Sequence, residues 1–359
     1  MSKTFPFQIV QHQVMGKKIE EVYEDDSWKK LLQSYIDQYN QIEIDHFGYR
    51  LDDINLDILY KKRIEDKCER IKERELFRGA IIKQGETRAT AERALLDHEY
   101  ITVLLRLETA KKIEQNGSTY IEQKIERERL WLFPKDGQWK IARIEPIIFE
   151  RQPSYGVTTS EWEEEATLVS RPISPFLNHY LMPNLQVGRM KRLYKRELAV
   201  AYADKHWKTN NTSYEDFENN CTNYISQCLH AGELPMQYTN RRDQGWWYKG
   251  RLKQREWWSY SWSVANSLYR YLSQSKKSGI QAREVMHPEE LKLGDVIFYD
   301  WNNTGRMSHS TIVTAFDAKG QPLVNAHTVN CRHRYWDYKD SYAWTPKTQY
   351  RFFQIVDYV

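Results

Sequence analysis

The sequence predicts an α+β protein in two domains: a smaller one of helices followed by an antiparallel meander, and a larger one that runs helices first and strands last. Three observations carry this expectation. A helical hydrophobic period up to about residue 80 gives way to β-rich runs separated by Asn116-Gly117 and Asp136-Gly137, the residue pairs that tight hairpin turns prefer. A stretch without sustained period follows, punctuated by Pro153, Pro172, Pro175 and Pro183. From Arg189 a second set of helices precedes a second set of short strands. The 359 residues suit two domains, and a hydrophobic fraction of 40% with 14% aromatics is enough for packed cores.

In the first domain, residues 17–80 read as helical, and Leu56 to Gln84 forms a long, charge-laced segment with Ile58, Leu59, Ile64 and Ile71 at near-helical intervals. Glu99 to Ile113 is rich in β-formers, Tyr120 to Phe133 places Ile121, Ile125, Trp131 and Phe133 on one parity, and Trp139 to Ile148 makes a third strand. Within the second of these, Glu126, Arg127, Glu128 and Arg129 read as cross-strand ion pairing on a solvated face. This arrangement resembles the cone-shaped helix-plus-curved-sheet domains related to nuclear transport factor and cystatin. No catalytic constellation is visible there, and packing, positioning or binding is the expected role. The boundaries expected are 1–150 for this accessory domain, 151–188 for a linker and 189–359 for the second domain.

In the second domain, Leu193 to Trp207, Asn219 to Gly232 and Ser261 to Lys277 read as helices, the second stopped by Gly232 with Pro235 shortly after. Val296 to Trp301, His309 to Phe316, Leu323 to Thr328 and Tyr350 to Val356 read as strands, with Lys319-Gly320 joining the second and third of them as a hairpin.

Composition narrows the function classes. From residue 187 onward 25 Lys+Arg face 17 Asp+Glu, so a net charge of +8 sits in the second half, against −4 for the remainder. These charges are scattered as on a solvated surface rather than clustered as a nucleic-acid footprint, and no nucleic-acid partner is expected. Cys68, Cys221, Cys228 and Cys331 show neither a C-x-x-C pair nor metal-ligand spacing, so neither a disulfide framework nor a metal site is expected. The N-terminal residues lack an apolar leader and no run of about 18 apolar residues exists, which predicts a soluble protein made in a reducing compartment. Nine of the 13 Trp residues follow residue 200, and Trp246, Trp247, Trp257, Trp258 and Trp262 either fill a core or line a groove.

The chemistry centres on NNCTNYISQCLHAG. Asn219, Asn220 and Thr222 are cap-type residues, so a helix should begin at Cys221. A thiol in that first turn faces unpaired backbone N–H groups and the positive end of the helix dipole, which favour the nucleophilic thiolate. Packed and inert is the competing reading, the one assigned to Cys228 in the core-facing series Ile225, Cys228, Leu229. A thiolate needs a base. Of ten histidines, His309 opens an apolar strand, SHSTIVTAF, after a polar turn; on the next strand, LVNAHT, Asn325 and His327 lie two apart, either able to orient the imidazole. An oxyanion hole would use the Cys221 backbone N–H and one more donor, with Tyr214, Asn219 and Asn220 as candidates.

The stretches YKRELAVAYADKHW, NCTNYISQCLHAG, GWWY, LKLGDVIFYDW, SHSTIVTAFD, PLVNAHT and RYW with DSYAWTP resemble the putative amidase domain of spore-forming Gram-positive bacteria, a relative of the NlpC-like and CHAP cysteine peptidases. The resemblance implies a papain-like α+β fold, cleavage of amide bonds (in relatives, often within peptidoglycan peptides) and no cofactor. It maps the nucleophile to Cys221, the base to His309 and the third polar residue to Asn325, with His327 as rival; Asp295 falls at the start of a core strand. Two positions depart from the pattern: Asn220 stands where the family commonly has Asp, and Gly232-Glu233 where it has two glycines. The expected function is a cysteine amidase or peptidase acting through an acyl-thioester on a peptide or peptidoglycan-like substrate. The alternatives are a non-catalytic wall- or protein-binding module on the same fold, or an acyltransferase using the same pair.

Overall fold

The computed structural model describes residues 8–9, 12–13, 27–47, 51, 53–97, 100–151, 193–252, 255–274 and 279–358. Helix α1 (Ser27–Asp45) buries Trp28, Leu31, Leu32, Tyr35, Tyr39 and Ile42, an apolar stripe at helical spacing. Helix α2 (Ile58–Arg78) starts where the Asp57 carboxylate accepts the Tyr60 N–H at 3.0 Å, and stops at Gly79, which takes the left-handed conformation (φ 64°) that glycine adopts without steric cost.

The helix thus ends six residues short of the expected Gln84. Strand β3 (Ala80–Asp97) begins at once, with the two-residue strands β1 (Gln8–Ile9) and β2 (His12–Gln13) parallel to it. β4 (Tyr100–Gln115), β5 (Ser118–Lys135) and β6 (Gln138–Pro146) continue the antiparallel meander. Both expected hairpins are present: Asn116 and Gly117 (φ 49° and 77°) and Asp136 and Gly137 (φ 50° and 73°) supply the paired positive φ values of a type I′ turn. β3 was not visible as a strand because TRATAERALL is rich in helix formers. Its small residues serve close packing instead: Ala89, Ala91 and Ala94 lie in the core with the α1 side chains, and a Cβ on Gly85 would sit 2.5 Å from Ile44 Cγ1.

The remaining elements are α3 (Arg196–His206), α4 (Cys221–Ala231), the hairpin β7 (Tyr248–Leu252) with β8 (Arg255–Trp258), α5 (Tyr260–Ser263), α6 (Ala265–Ser273), β9 (Ala282–Val285), β10 (Val296–Asp300), β11 (His309–Phe316), β12 (Pro322–Ala326), β13 (Cys331–Tyr335) and β14 (Gln349–Ile355). The expected third helix is two helices, because Val264 takes an extended conformation between them.

The chain divides into two compact units, and the division is discontinuous. Met1–Phe149 and Thr314–Thr348 form one; Glu150–Val313 and Gln349–Val359 form the other. This corrects the expected boundaries, which assigned everything from 189 to 359 to one domain. The reason is strand pairing and buried charge: β13 is antiparallel to β5, with Cys331 opposite Lys124 and Arg332 opposite Gln123, and Arg74 reaches Asp337 and Asp340 at 3.2 and 3.4 Å. Residues 152–188 of the expected linker lie outside the described residues.

Within the first unit, Glu126 and Glu128 are buried rather than solvated, which corrects their reading as surface charges. They face the interior on one parity of β5, while Arg127 and Arg129 face the other way and pair with Glu92 and Glu145. Glu126 lies 2.7 Å from Lys124; Glu128 accepts hydrogen bonds from the hydroxyls of Tyr35, Tyr60 (2.9 Å) and Tyr342 (3.0 Å).

Within the second unit, β10 lies between β11 and β14, antiparallel to both, and β9 pairs with the far edge of β14. Trp246, Trp258 and Trp262 belong to its core with Tyr224, Leu229, Leu268, Phe298 and Phe353. Trp247 is buried too, so four of the five tryptophans that could have lined a groove are interior. Asp295 is a strand-start pin: it accepts hydrogen bonds from Lys292 N (2.7 Å), Ile355 N (2.9 Å) and Arg196 Nη1 (2.6 Å).

Candidate active site

Helix α4 starts at Cys221, as expected, and buries every residue from Cys221 to Leu229. A helix enclosed on all sides must satisfy its polar side chains internally. Ser226 donates to Trp262 O (2.8 Å) and accepts from Trp246 Nε1 (2.9 Å), Asn223 Oδ1 accepts from Trp262 Nε1 (2.8 Å), and Tyr224 Oη donates to Ala203 O (2.7 Å). These bonds fix the helix axially and in rotation, and with it the position of the Cys221 thiol.

The start of α4 differs from the expected cap. Asn220 makes no side-chain cap bond; its amide Nδ2 donates to Asn210 Oδ1 (3.1 Å) and its Oδ1 accepts from Asn223 Nδ2 (2.8 Å). Asn223 also donates to Glu215 O at 2.8 Å. The asparagines therefore lock the preceding loop to the helix and leave the first-turn N–H groups outside their side-chain bonds. Tyr214, another oxyanion candidate, is drawn into an aromatic cluster, 5.0 Å from the Tyr248 ring and stacked on Trp262 at 5.9 Å; burial raises its pKa, so the phenol stays protonated.

The thiols are not equivalent. All four cysteines are buried, and among the described residues none forms a disulfide. Burial pushes Cys68 up to about 11 and Cys228 well above its ordinary value, which keeps both as inert thiols. Cys331 lies within 3.1 Å of Tyr338 Oη. Cys221 alone occupies a helix N-terminus, with its Sγ 3.7 Å from Thr222 Oγ1.

His309 is the first residue of β11, fully buried and opposite Tyr299 on β10. Its ring stacks on Trp301 (centroids 5.8 Å, 27°) and lies 5.5 Å from the Tyr299 ring. Thr222 Oγ1 and Ser310 Oγ are 3.2 Å apart, a hydrogen bond that ties the first turn of α4 to the start of β11. The immediate chain neighbours of that bond are Cys221 and His309.

The expected orienters are placed otherwise. Asn325 sits at a register shift between Val324 and Ala326, and β12 ends at Ala326, so Asn325 and His327 do not share one face of a regular strand. Both are buried in the first unit. The Asn325 amide oxygen accepts hydrogen bonds from Thr314 Oγ1 (2.8 Å) and His333 N (2.9 Å), which uses both of its lone pairs. Sequence reasoning named Thr222 only as a cap-type residue and missed Ser310 and Glu150. The Glu150 Oε1 lies 3.8 Å from His309 Nε2 with both side chains buried, yet no local pattern marks it, since its partner is far away in sequence.

Among the described residues no cluster of three or more His, Cys, Asp or Glu is placed to hold a metal, and no helix is long and apolar enough to cross a membrane.

Residues 193–353 match the family model described as a putative amidase domain. The chain is 43% identical over 246 residues to the uncharacterized protein YhbB of Bacillus subtilis (strain 168), a match covering 68% of this chain and 70% of that protein. It is 29% identical over 180 residues to the uncharacterized protein YjcM of the same organism, covering 47% of this chain and 39% of the relative. No solved structure matches it.

Proposed function

Because the chain belongs to the putative amidase domain family, we propose that it hydrolyses peptide amide bonds through a thioester, with Cys221 as nucleophile and His309 as base, on a papain-like second unit. The observation that supports this reading is the Thr222–Ser310 hydrogen bond, which ties the first turn of α4, where Cys221 sits, to the start of β11, where His309 sits. Cys221 lies at the N-terminal end of the α4 dipole, and the backbone N–H of that turn is the natural donor to a developing oxyanion.

The reaction proceeds in two steps. The Cys221 sulfur attacks the amide carbon while the thiol proton passes to His309; the carbon–nitrogen bond breaks as the imidazolium gives that proton to the leaving amine. Water then attacks the thioester with His309 taking its proton, and the carboxylate leaves as the thiol is restored. The substrate class is a peptide, with peptidoglycan peptides the first to be tried, since the resemblance places relatives' activity there.

The test is incubation with purified peptidoglycan and with its soluble peptides, scoring new amino and carboxyl termini. Equal numbers of both ends, formed by the native protein and absent with Cys221→Ala, are expected. Undiminished release by Cys221→Ala would sink the cysteine mechanism. Intact peptides with every protein would favour the binding-module reading.

A further inference from the structure

We infer that Glu150 is the positioning residue for the His309 imidazole, holding the proton on Nε2 and turning Nδ1 to the proton exchanged with the thiol; this rests on reading Cys221 and His309 as the reactive pair. Glu150 Oε1 lies 3.8 Å from His309 Nε2, and the two side chains are 1% and 0% exposed. A carboxylate withdrawn from water needs a positive or donating partner, and the imidazole edge that faces it is Nε2. Of the two ring nitrogens, the one opposite a carboxylate carries the proton, which leaves the other as the acceptor.

Trp301 fixes both partners. Its Nε1 donates to Glu150 O at 2.9 Å, and its ring stacks on the imidazole. Tyr299 flanks the same ring, its hydroxyl 3.2 Å from Thr311 Oγ1. Against the imidazole lie a carboxylate and two aromatic rings, and the carboxylate bears a charge opposite to imidazolium. At 3.8 Å the pair is looser than a hydrogen bond, as catalytic pairs often are before substrate closes the site. Asn325, the orienter that the family pattern implies, already spends its amide oxygen on Thr314 and His333.

The test uses the full chain with 15N-labelled histidine, His309→Gln serving to assign the ring signals. Once uncharged, native His309 should carry its proton on Nε2; a neutral ring protonated on Nδ1 overturns the proposal without any substitution. Glu150→Gln, which keeps shape and removes charge, should lower the pH at which the ring titrates by about one unit, the usual effect of losing an opposite charge at this range. Because the neutral ring is the base, the substitution should move the acid limb of kcat/KM down by the same amount, with a larger fall in kcat than rise in KM. Glu150→Asp should restore part of each. A ring that titrates identically in Glu150→Gln and native protein overturns the positioning role while leaving the Cys–His pair standing. Retention of thiol reactivity and turnover by His309→Gln instead removes the pair on which this inference is built.

Discussion

In the first unit Glu43 is enclosed by Lys67, Lys111 and Lys124 at 3.0–3.3 Å, and Arg74, Arg78 and Arg334 share Glu75, Asp317, Asp337 and Asp340. In the second unit the groups of the proposed site are single: one thiol, one imidazole and one carboxylate, with aromatic rings against the imidazole. Strongly shifted groups are far denser in the first unit. The lysines hold the Glu43 carboxyl well below its usual range although burial opposes them, and Glu126 and Glu43 raise Lys124. These shifts favour the charged forms of both partners, as in a structural ion network. Catalysis asks for a group that changes protonation during turnover, and a group held ionised by three neighbours resists that change. On the proposed reading, density of perturbed side chains therefore points away from the reactive pair.

Paired substitutions can break this contrast. Cys221→Ala should lower amide hydrolysis by a factor on the order of 10^4 or more with an unchanged urea midpoint. Glu43→Gln should do the reverse, costing about 3–5 kcal/mol in urea unfolding because it leaves three buried ammonium groups short of their shared carboxylate. If Glu43→Gln abolished turnover in protein that remained folded, the first unit would be catalytic and the contrast would collapse.

A third measurement sharpens the contrast through pH. His46 is buried beside Lys111 and Arg74, and burial first, then those cations, depresses its pKa from the usual 6.5 to about 4. The folded value lies below the unfolded one, so its contribution to stability is present above pH 6.5 and is lost as pH falls through about 4. His46→Gln should flatten the stability curve over that window, by about 2–3 kcal/mol at its acid end. A curve of unchanged slope would mean that His46 is solvated in the folded protein.

The smallest effect concerns a departure from the family pattern. Glu233 holds a left-handed backbone (φ 68°) directly after α4, where glycine is the easier residue, and its side chain pairs with Lys195 at the surface. Relief of the backbone cost, roughly 1 kcal/mol, should outweigh an exposed ion pair worth less. Glu233→Gly should raise the melting temperature by about 2 °C with activity unaltered. A fall would assign the pair more strength than its exposure suggests.

Much of the fold was legible because it is written locally. Asn-Gly and Asp-Gly announce two hairpins through the φ values they tolerate, and the polar run before Cys221 announces a helix start even though Asn220 does not cap it. What escaped depends on distant partners. β3 is a strand because α1 packs on its alanines, against its own propensity. Glu126 and Glu128 alternate with arginines like surface charges, and Lys124 with four tyrosine hydroxyls arriving from elsewhere in the chain makes them interior. Cys221 and His309 were proposed from residue type and chain order; Glu150 could not be, because its proximity to His309 is created by the fold alone.

The discontinuous division has a consequence for synthesis. Strand β5 is complete by residue 135, but the pairing of Lys124 with Cys331 must wait for about two hundred further residues, or roughly 10–40 s at ordinary elongation rates. Until then Arg74 lacks Asp337 and Asp340, and Lys124 lacks the neighbouring strand that covers it. A ribosome-bound chain that ends before residue 331 carries an open sheet edge and an unbalanced cluster of cations, the kind of surface that holding chaperones and proteases recognise.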